Sequence, residues 1–195
     1  MRREGYKKLD ILYANHEPRT TNHEKMRILG IDPGLGITGY GLIKLSGRGR
    51  DLEVVEAGVI RSNAKHKIEK RLSGIHRKIV DLVKDTRPDV VILEQIYSHY
   101  KHPRTSILMG HARGIICLAV EQQKVALVGY PSTRIKKAIT GRGHASKQQI
   151  QRTVTSLLNL KKLPEPFDVT DALALAMAHA NIVMHSHSLH PSMRM

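Results

Sequence analysis

Apolar positions along this chain alternate between two rhythms. A short apolar run, Ile28-Leu29-Gly30-Ile31, predicts a buried strand over 28–32 that ends at Asp32. Residues 37–45 and 52–60 read as two further strands, joined by a polar, glycine-bearing turn at 46–50. The period then lengthens. Ile68, Leu72, Ile75, Ile79 and Leu82 recur at alternating steps of four and three, the mark of one helical face. Pro88-Asp89 resets the chain into Val90-Val91-Ile92-Leu93, a strand apolar on both sides, ended by Glu94. A helix follows over about 103–122, with Pro103 acceptable in its first turn. Residues 125–128 form another buried strand and 132–140 a short basic helix. Ser146 caps a helix that uses Ile150, Val154, Leu157 and Leu158. Pro164-Glu165-Pro166 breaks it, and a last helix starts near Asp168 and runs through alanine-dense sequence to Met177. Three strands, helix, strand, helix, strand, helices: this order predicts an α/β fold with a mixed sheet, an antiparallel opening meander and helices on both faces.

Composition sharpens the picture. The chain has 195 residues, 41% of them hydrophobic, which favours one main domain with a sizeable core. No run of about 18 apolar residues predicts a membrane span. Residues 1–25, with Arg2, Arg3, Lys7, Lys8 and Arg19, read as a loosely ordered basic arm. Residues 26–183 read as the packed domain, and 184–195 as a histidine-rich tail. The tail set His185, His187 and His190 lacks the spacing and cysteine partners of a zinc site. The single Cys117 sits in an apolar stretch and excludes an internal disulfide framework, which fits the cytoplasm. Net charge is +15, and such an excess draws polyanions, nucleic acid foremost.

Candidate chemistry centres on four acids. Asp32 precedes Gly34, Gly36 and Gly39, which spell GxGxxG after a strand. A dinucleotide fingerprint needs a helix next, but Tyr40-Gly41-Leu42-Ile43-Lys44-Leu45 reads as a strand. The glycines are therefore expected to supply positive φ in a turn and to let a polymer backbone come close. Gly141-Arg142-Gly143-His144-Ala145-Ser146-Lys147 is not a P-loop, because Ser146 and Gln148 flank the lysine. It leaves a basic loop before a helix N-terminus, suited to phosphate. Asp168 and Asp171, three apart, share one helix face. Each acid alone has a bland explanation: a turn residue, a strand exit, a helix cap, a dipole partner. Together they point further. Two carboxylates about 4 Å apart repel by about 4 kcal/mol at an effective dielectric of about 20. If Asp32, Glu94, Asp168 and Asp171 converge, divalent cations relieve that repulsion. All-oxygen ligands suit Mg²⁺ or Mn²⁺, and a pair of such ions is the clamp used on phosphodiesters.

The chain resembles the RuvC family of Holliday-junction resolvases, within the ribonuclease H-like superfamily. The resemblance rests on Ile28-Leu29-Gly30-Ile31-Asp32-Pro33-Gly34, Val91-Ile92-Leu93-Glu94-Gln95, Gly110-His111-Ala112-Arg113-Gly114 and Asp168-Val169-Thr170-Asp171-Ala172-Leu173-Ala174. It implies a ribonuclease H-like fold and a homodimer that nicks two strands of a four-way DNA junction symmetrically, in recombination and repair. It implies that Asp32, Glu94, Asp168 and Asp171 are the catalytic metal ligands, holding two Mg²⁺ ions (Mn²⁺ substituting). It places Lys136 and Lys147 against the cleaved strand and Tyr97 on an unpaired base. A branch-migration helicase is the expected protein partner, and the helix over 103–122 the expected dimer face. Two rival classes are weaker. A junction binder without cleavage gains nothing from gathered acids. An ATP-binding fold of the sugar-kinase and actin type needs two such domains.

Overall fold

The computed structural model describes residues 25–47, 51–95 and 103–188. Within them the chain forms β1 (Lys25–Asp32), β2 (Ile37–Ser46), β3 (Asp51–Arg61), α1 (Ile68–Thr86), β4 (Val90–Glu94), α2 (Pro103–Gln122), β5 (Ala126–Tyr130), α3 (Ser132–Thr140), α4 (Lys147–Leu157) and α5 (Phe167–Ser188). The sheet has the order β3-β2-β1-β4-β5. β1, β2 and β3 form the antiparallel meander, while β1–β4 and β4–β5 are parallel. This is the mixed α/β plan that the hydrophobic pattern predicts.

β1 and β4 lie inside the sheet and are covered on both sides, which is why their sequences are continuous apolar runs. Alternate residues divide between two cores. Ile28, Ile43, Leu45 and Ile92 pack with α3, α4 and α5 on one face. Leu29, Ile31, Leu42 and Leu93 pack with α1 and α2 on the other. Arg27 ties the start of β1 to the end of α1. Its backbone N–H donates to Asp89 Oδ2 at 2.7 Å and its Nε–H to the Thr86 carbonyl at 2.8 Å.

α5 is the element that positions the site. Ala172, Ala174, Ala176, Ala178 and Ala180 are all buried, so the helix lies close on β1 and β2. Glycines on the strands complete the fit. A Cβ on Gly30 would collide with the Ala172 carbonyl, and one on Gly39 with the Asp168 carbonyl. This corrects the expected role of the glycine turn. None of Gly34, Gly36 and Gly39 has positive φ, and what Gly39 admits is α5 itself. Phe167–His185 also has the length and composition of a membrane-crossing helix. Here that apolarity is spent against the sheet, and most of the segment is buried. The helix continues to Ser188, past the start of the expected tail at 184, and so carries His185 and His187. A His185 ring nitrogen hydrogen-bonds the Asn181 carbonyl at 2.7 Å, one turn back.

Candidate active site

Parallel pairing of β1 with β4 sets the first two acids side by side. Ile31 is registered with Leu93, so Asp32 and Glu94 leave neighbouring strands at the same end of the sheet. The turn after Asp32 is fixed by a buried threonine, whose Oγ1–H donates to the Gly34 carbonyl at 2.8 Å. Glu94 is braced on two sides. The next residue's N–H donates to the Tyr130 carbonyl at 2.9 Å, and the Arg113 Nε–H, reaching across from α2, donates to the Glu94 carbonyl at 3.1 Å. Asp168 enters from the first turn of α5 and Asp171 from three residues on, in a helix that the glycine contacts hold against β1 and β2.

All four acids line one cleft of about 400 Å³, together with Lys136 from α3 and Lys147 from α4. Lys147 is placed by the predicted cap at Ser146. The Gln149 backbone N–H donates to Ser146 Oγ at 3.2 Å and the Ser146 N–H to Gln149 Oε1 at 2.8 Å, a reciprocal capping box. Its ammonium then donates to Asp171 Oδ2 at 3.3 Å. The ammonium end of this pair is largely exposed, so it positions more than it stabilises.

The electrostatics follow from the convergence. Burial pushes the Asp32 carboxyl up to about 7, and the charges on Asp171, Asp168 and Glu94 push in the same direction; Lys147 opposes them. Lys147 is raised in turn, chiefly by Asp171. Asp32 thus feels every other acid. Yet among the described residues no three His, Cys, Asp or Glu side chains are gathered tightly enough to hold an ion as they stand. The acids share a cleft rather than a finished cage. The donor set nonetheless fits hard divalent cations: only carboxylate oxygens, brought from three separate elements, with one member pushed up to about 7 by burial and by the other three acids.

Of the residues expected from the sequence, Asp32, Glu94, Asp168, Asp171, Lys136 and Lys147 come together. Tyr97 lies outside the described residues. Arg113 stood inside a quoted motif, but its bond to Glu94 spans 19 positions and no local signal gives it.

Comparison with known proteins agrees with this architecture. The family model for crossover junction endodeoxyribonuclease RuvC matches residues 28–179. RuvC of Rhodopirellula baltica is 49% identical over 150 residues, covering 77% of this chain and 83% of that protein. RuvC of Caldicellulosiruptor saccharolyticus is 41% identical over 154 residues, covering 79% of this chain and 92% of that protein. The structure of Thermus thermophilus RuvC aligns with a TM-score of 0.76 at 28% identity, covering 83% of this chain and 97% of that one. T. thermophilus RuvC in complex with Holliday junction substrate gives a TM-score of 0.76 at 27% identity, covering 83% and 96%. The acid cleft at the sheet end, the order of the strands and the matched span lead to one conclusion: the chain belongs to the RuvC family of crossover junction endodeoxyribonucleases.

Proposed function

We propose that this protein resolves four-way DNA junctions, nicking paired strands by hydrolysis that depends on two Mg²⁺ ions per site, with Mn²⁺ able to substitute. The observation that carries the reading is the meeting of Asp32, Glu94, Asp168 and Asp171 with Lys136 and Lys147 in one cleft. Bound divalent cations would supply a hydroxide nucleophile and stabilise the leaving oxygen. The four acids would hold them, and neutralisation there would return Asp32 to its charged form. Lys136 and Lys147 would meet the scissile phosphate and offset its growing negative charge. Lys147, already bonded to Asp171, sits where it can exchange that carboxylate for phosphate.

The reading includes a homodimer that uses α2. Ile107 is 59% exposed and Leu118 48% exposed on that helix, and a Cβ added to Gly110 or Gly114 between them meets nothing. Two copies related by a twofold axis would offer two clefts to two strands of like polarity. The proposed place of action is the cytoplasm, consistent with one unpaired cysteine, Cys117. A branch-migration helicase remains the proposed partner, Tyr97 the proposed stacking residue, and residues 1–25 and 184–195 the proposed accessory segments.

The test is paired nicking of a synthetic four-way junction with Mg²⁺. Asp32→Asn is expected to bind the junction as the parent does and to lose cutting by on the order of 10³-fold or more, the scale of removing a preorganised electrostatic contact at a reacting centre. Cutting by Asp32→Asn at the parental rate would overturn the assignment.

A further inference from the structure

A second cavity lies beside the acid cleft, and the proposed chemistry does not use it. It is an open depression of about 490 Å³, lined by Arg61, Gln151, Glu165, Pro166 and Phe167. Phe167 is the only phenylalanine in the chain, and it is 44% exposed at the first position of α5, directly before Asp168. An aromatic ring left open to solvent next to a nuclease acid calls for a ligand with a flat apolar face.

The backbone that leads to the ring is anchored. The Pro164 carbonyl accepts from the Gln151 amide at 3.0 Å and from Thr170 Oγ1–H at 3.3 Å, while the Val169 N–H donates to the Pro166 carbonyl at 3.0 Å. Gln151 and Thr170 are buried. The segment leading into Phe167 is therefore pinned to α4 and to α5.

The sheet register locates this cavity relative to the acids. Asp32 is paired with Gly39, and two residues further out Ile37 is paired with Arg61. Arg61 thus sits at the acidic end of the sheet, on the strand two over from Asp32. That is about 10 Å across at 4.7–4.9 Å per strand and about 7 Å further along at about 3.4 Å per residue, or about 12 Å in all. DNA stacked at about 3.4 Å of helix axis per nucleotide covers this in about three nucleotides, and an unstacked strand covers it in fewer.

The lining chemistry favours a base over a phosphate. Phe167 and the Arg61 guanidinium are the two kinds of plane on which bases stack. Glu165 repels a phosphate but accepts from an exocyclic amino group, as carboxylates do with cytosine. We propose that the cavity between Phe167 and Arg61 is a nucleobase subsite, taking one base of the DNA strand within about three nucleotides of the scissile phosphate. This inference rests on the reading that the cleaved strand lies across the four acids.

The chain has no tryptophan, so Phe167→Trp places a single indole at the site. That variant is titrated with a synthetic four-way junction without divalent metal, so that nothing is cut, and binding is followed separately by anisotropy of a labelled arm. Indole emission is expected to fall in step with binding. A junction made abasic within three nucleotides of the cut is expected to bind without that fall. Phe167→Ala, at an exposed position, is expected to melt with the parent and to bind the junction about fivefold or more weakly, the low end of about 1–3 kcal/mol per stacked base. Phe167→Tyr should bind like the parent. Unchanged emission at saturating junction, an unchanged response to abasic substrate, or parental affinity in Phe167→Ala would each overturn the subsite while leaving the junction reading intact. Failure of the parent to bind the junction would overturn both.

Discussion

The two faces of the sheet are built to different tolerances. On the α1 and α2 side, large aliphatic residues such as Ile75, Ile79 and Ile116 fill the gap between helix and strand. On the α5 side, alanines meet glycines and backbone nearly touches backbone at Gly30 and Gly39. Only the second face carries acids to the end of the sheet. The difference is a lesson in positioning. A helix held by long side chains can shift as they change rotamer, whereas one seated on glycine has nowhere to go. Asp168 and Asp171 stand on the helix that is seated on glycine, opposite the strand ends of Asp32 and Glu94. The cost of that rigidity is charge: the close seat concentrates four carboxylates where burial already disfavours one of them.

That cost gives the largest expected effect on stability. Asp32 titrates at about 7 in the fold, above its ordinary value of 3.8. Between those values the folded chain binds more protons than the unfolded one, so its stability without metal falls as pH rises from about 4 to about 7 and then levels. The penalty above pH 7 is about 4 kcal/mol at 1.36 kcal/mol per pH unit. Asp32→Asn removes it. In chelator, thermal melts should show the variant more stable than the parent at pH 8 and close to it at pH 4. Equal melting at both pH values would mean that the acids do not crowd one another.

A smaller effect separates the faces by volume. Gly30→Ala adds one methyl where the Ala172 carbonyl stands in the way, and should cost about 3 kcal/mol, the upper part of the overpacking range. Because it lifts α5, it should also slow junction cutting beyond what the lost stability explains. Denaturant melts and nicking rates at a temperature where the variant is folded check both. The smallest effect belongs to the other face. Ile79→Val deletes one methylene from a fully buried side chain and should cost about 1 kcal/mol with cutting unchanged. If Ile79→Val slowed cutting as much as Gly30→Ala, the proposed division of labour would fail.

Much of this was legible in the sequence because the elements are locally consistent. The step pattern from Ile68 to Leu82 marks α1, and Pro103 and Ser146 mark the starts of α2 and α4. Asp32 and Glu94 were readable as strand ends, and the alanine run after Asp171 announced a close-packed helix. What stayed hidden was tertiary. Nothing local tells that Gly39 makes room for Asp168 rather than bending a turn, that Arg113 reaches the Glu94 carbonyl, or that Arg61 and Phe167 share a cavity. Histidines and serines make residues 184–188 read as tail by composition, whereas α5 continues through Ser188.

The central claim is that acids from three separate elements act as one cation site. Titration of the parent and Asp32→Asn with Mn²⁺ at a series of pH values from 6 to 8, followed by the paramagnetic signal of free ion, tests it most directly. The account predicts saturable Mn²⁺ binding by the parent that weakens as pH falls through about 7, where Asp32 takes up its proton, and that is largely lost in Asp32→Asn. Equal Mn²⁺ binding by the two proteins across that range would contradict it.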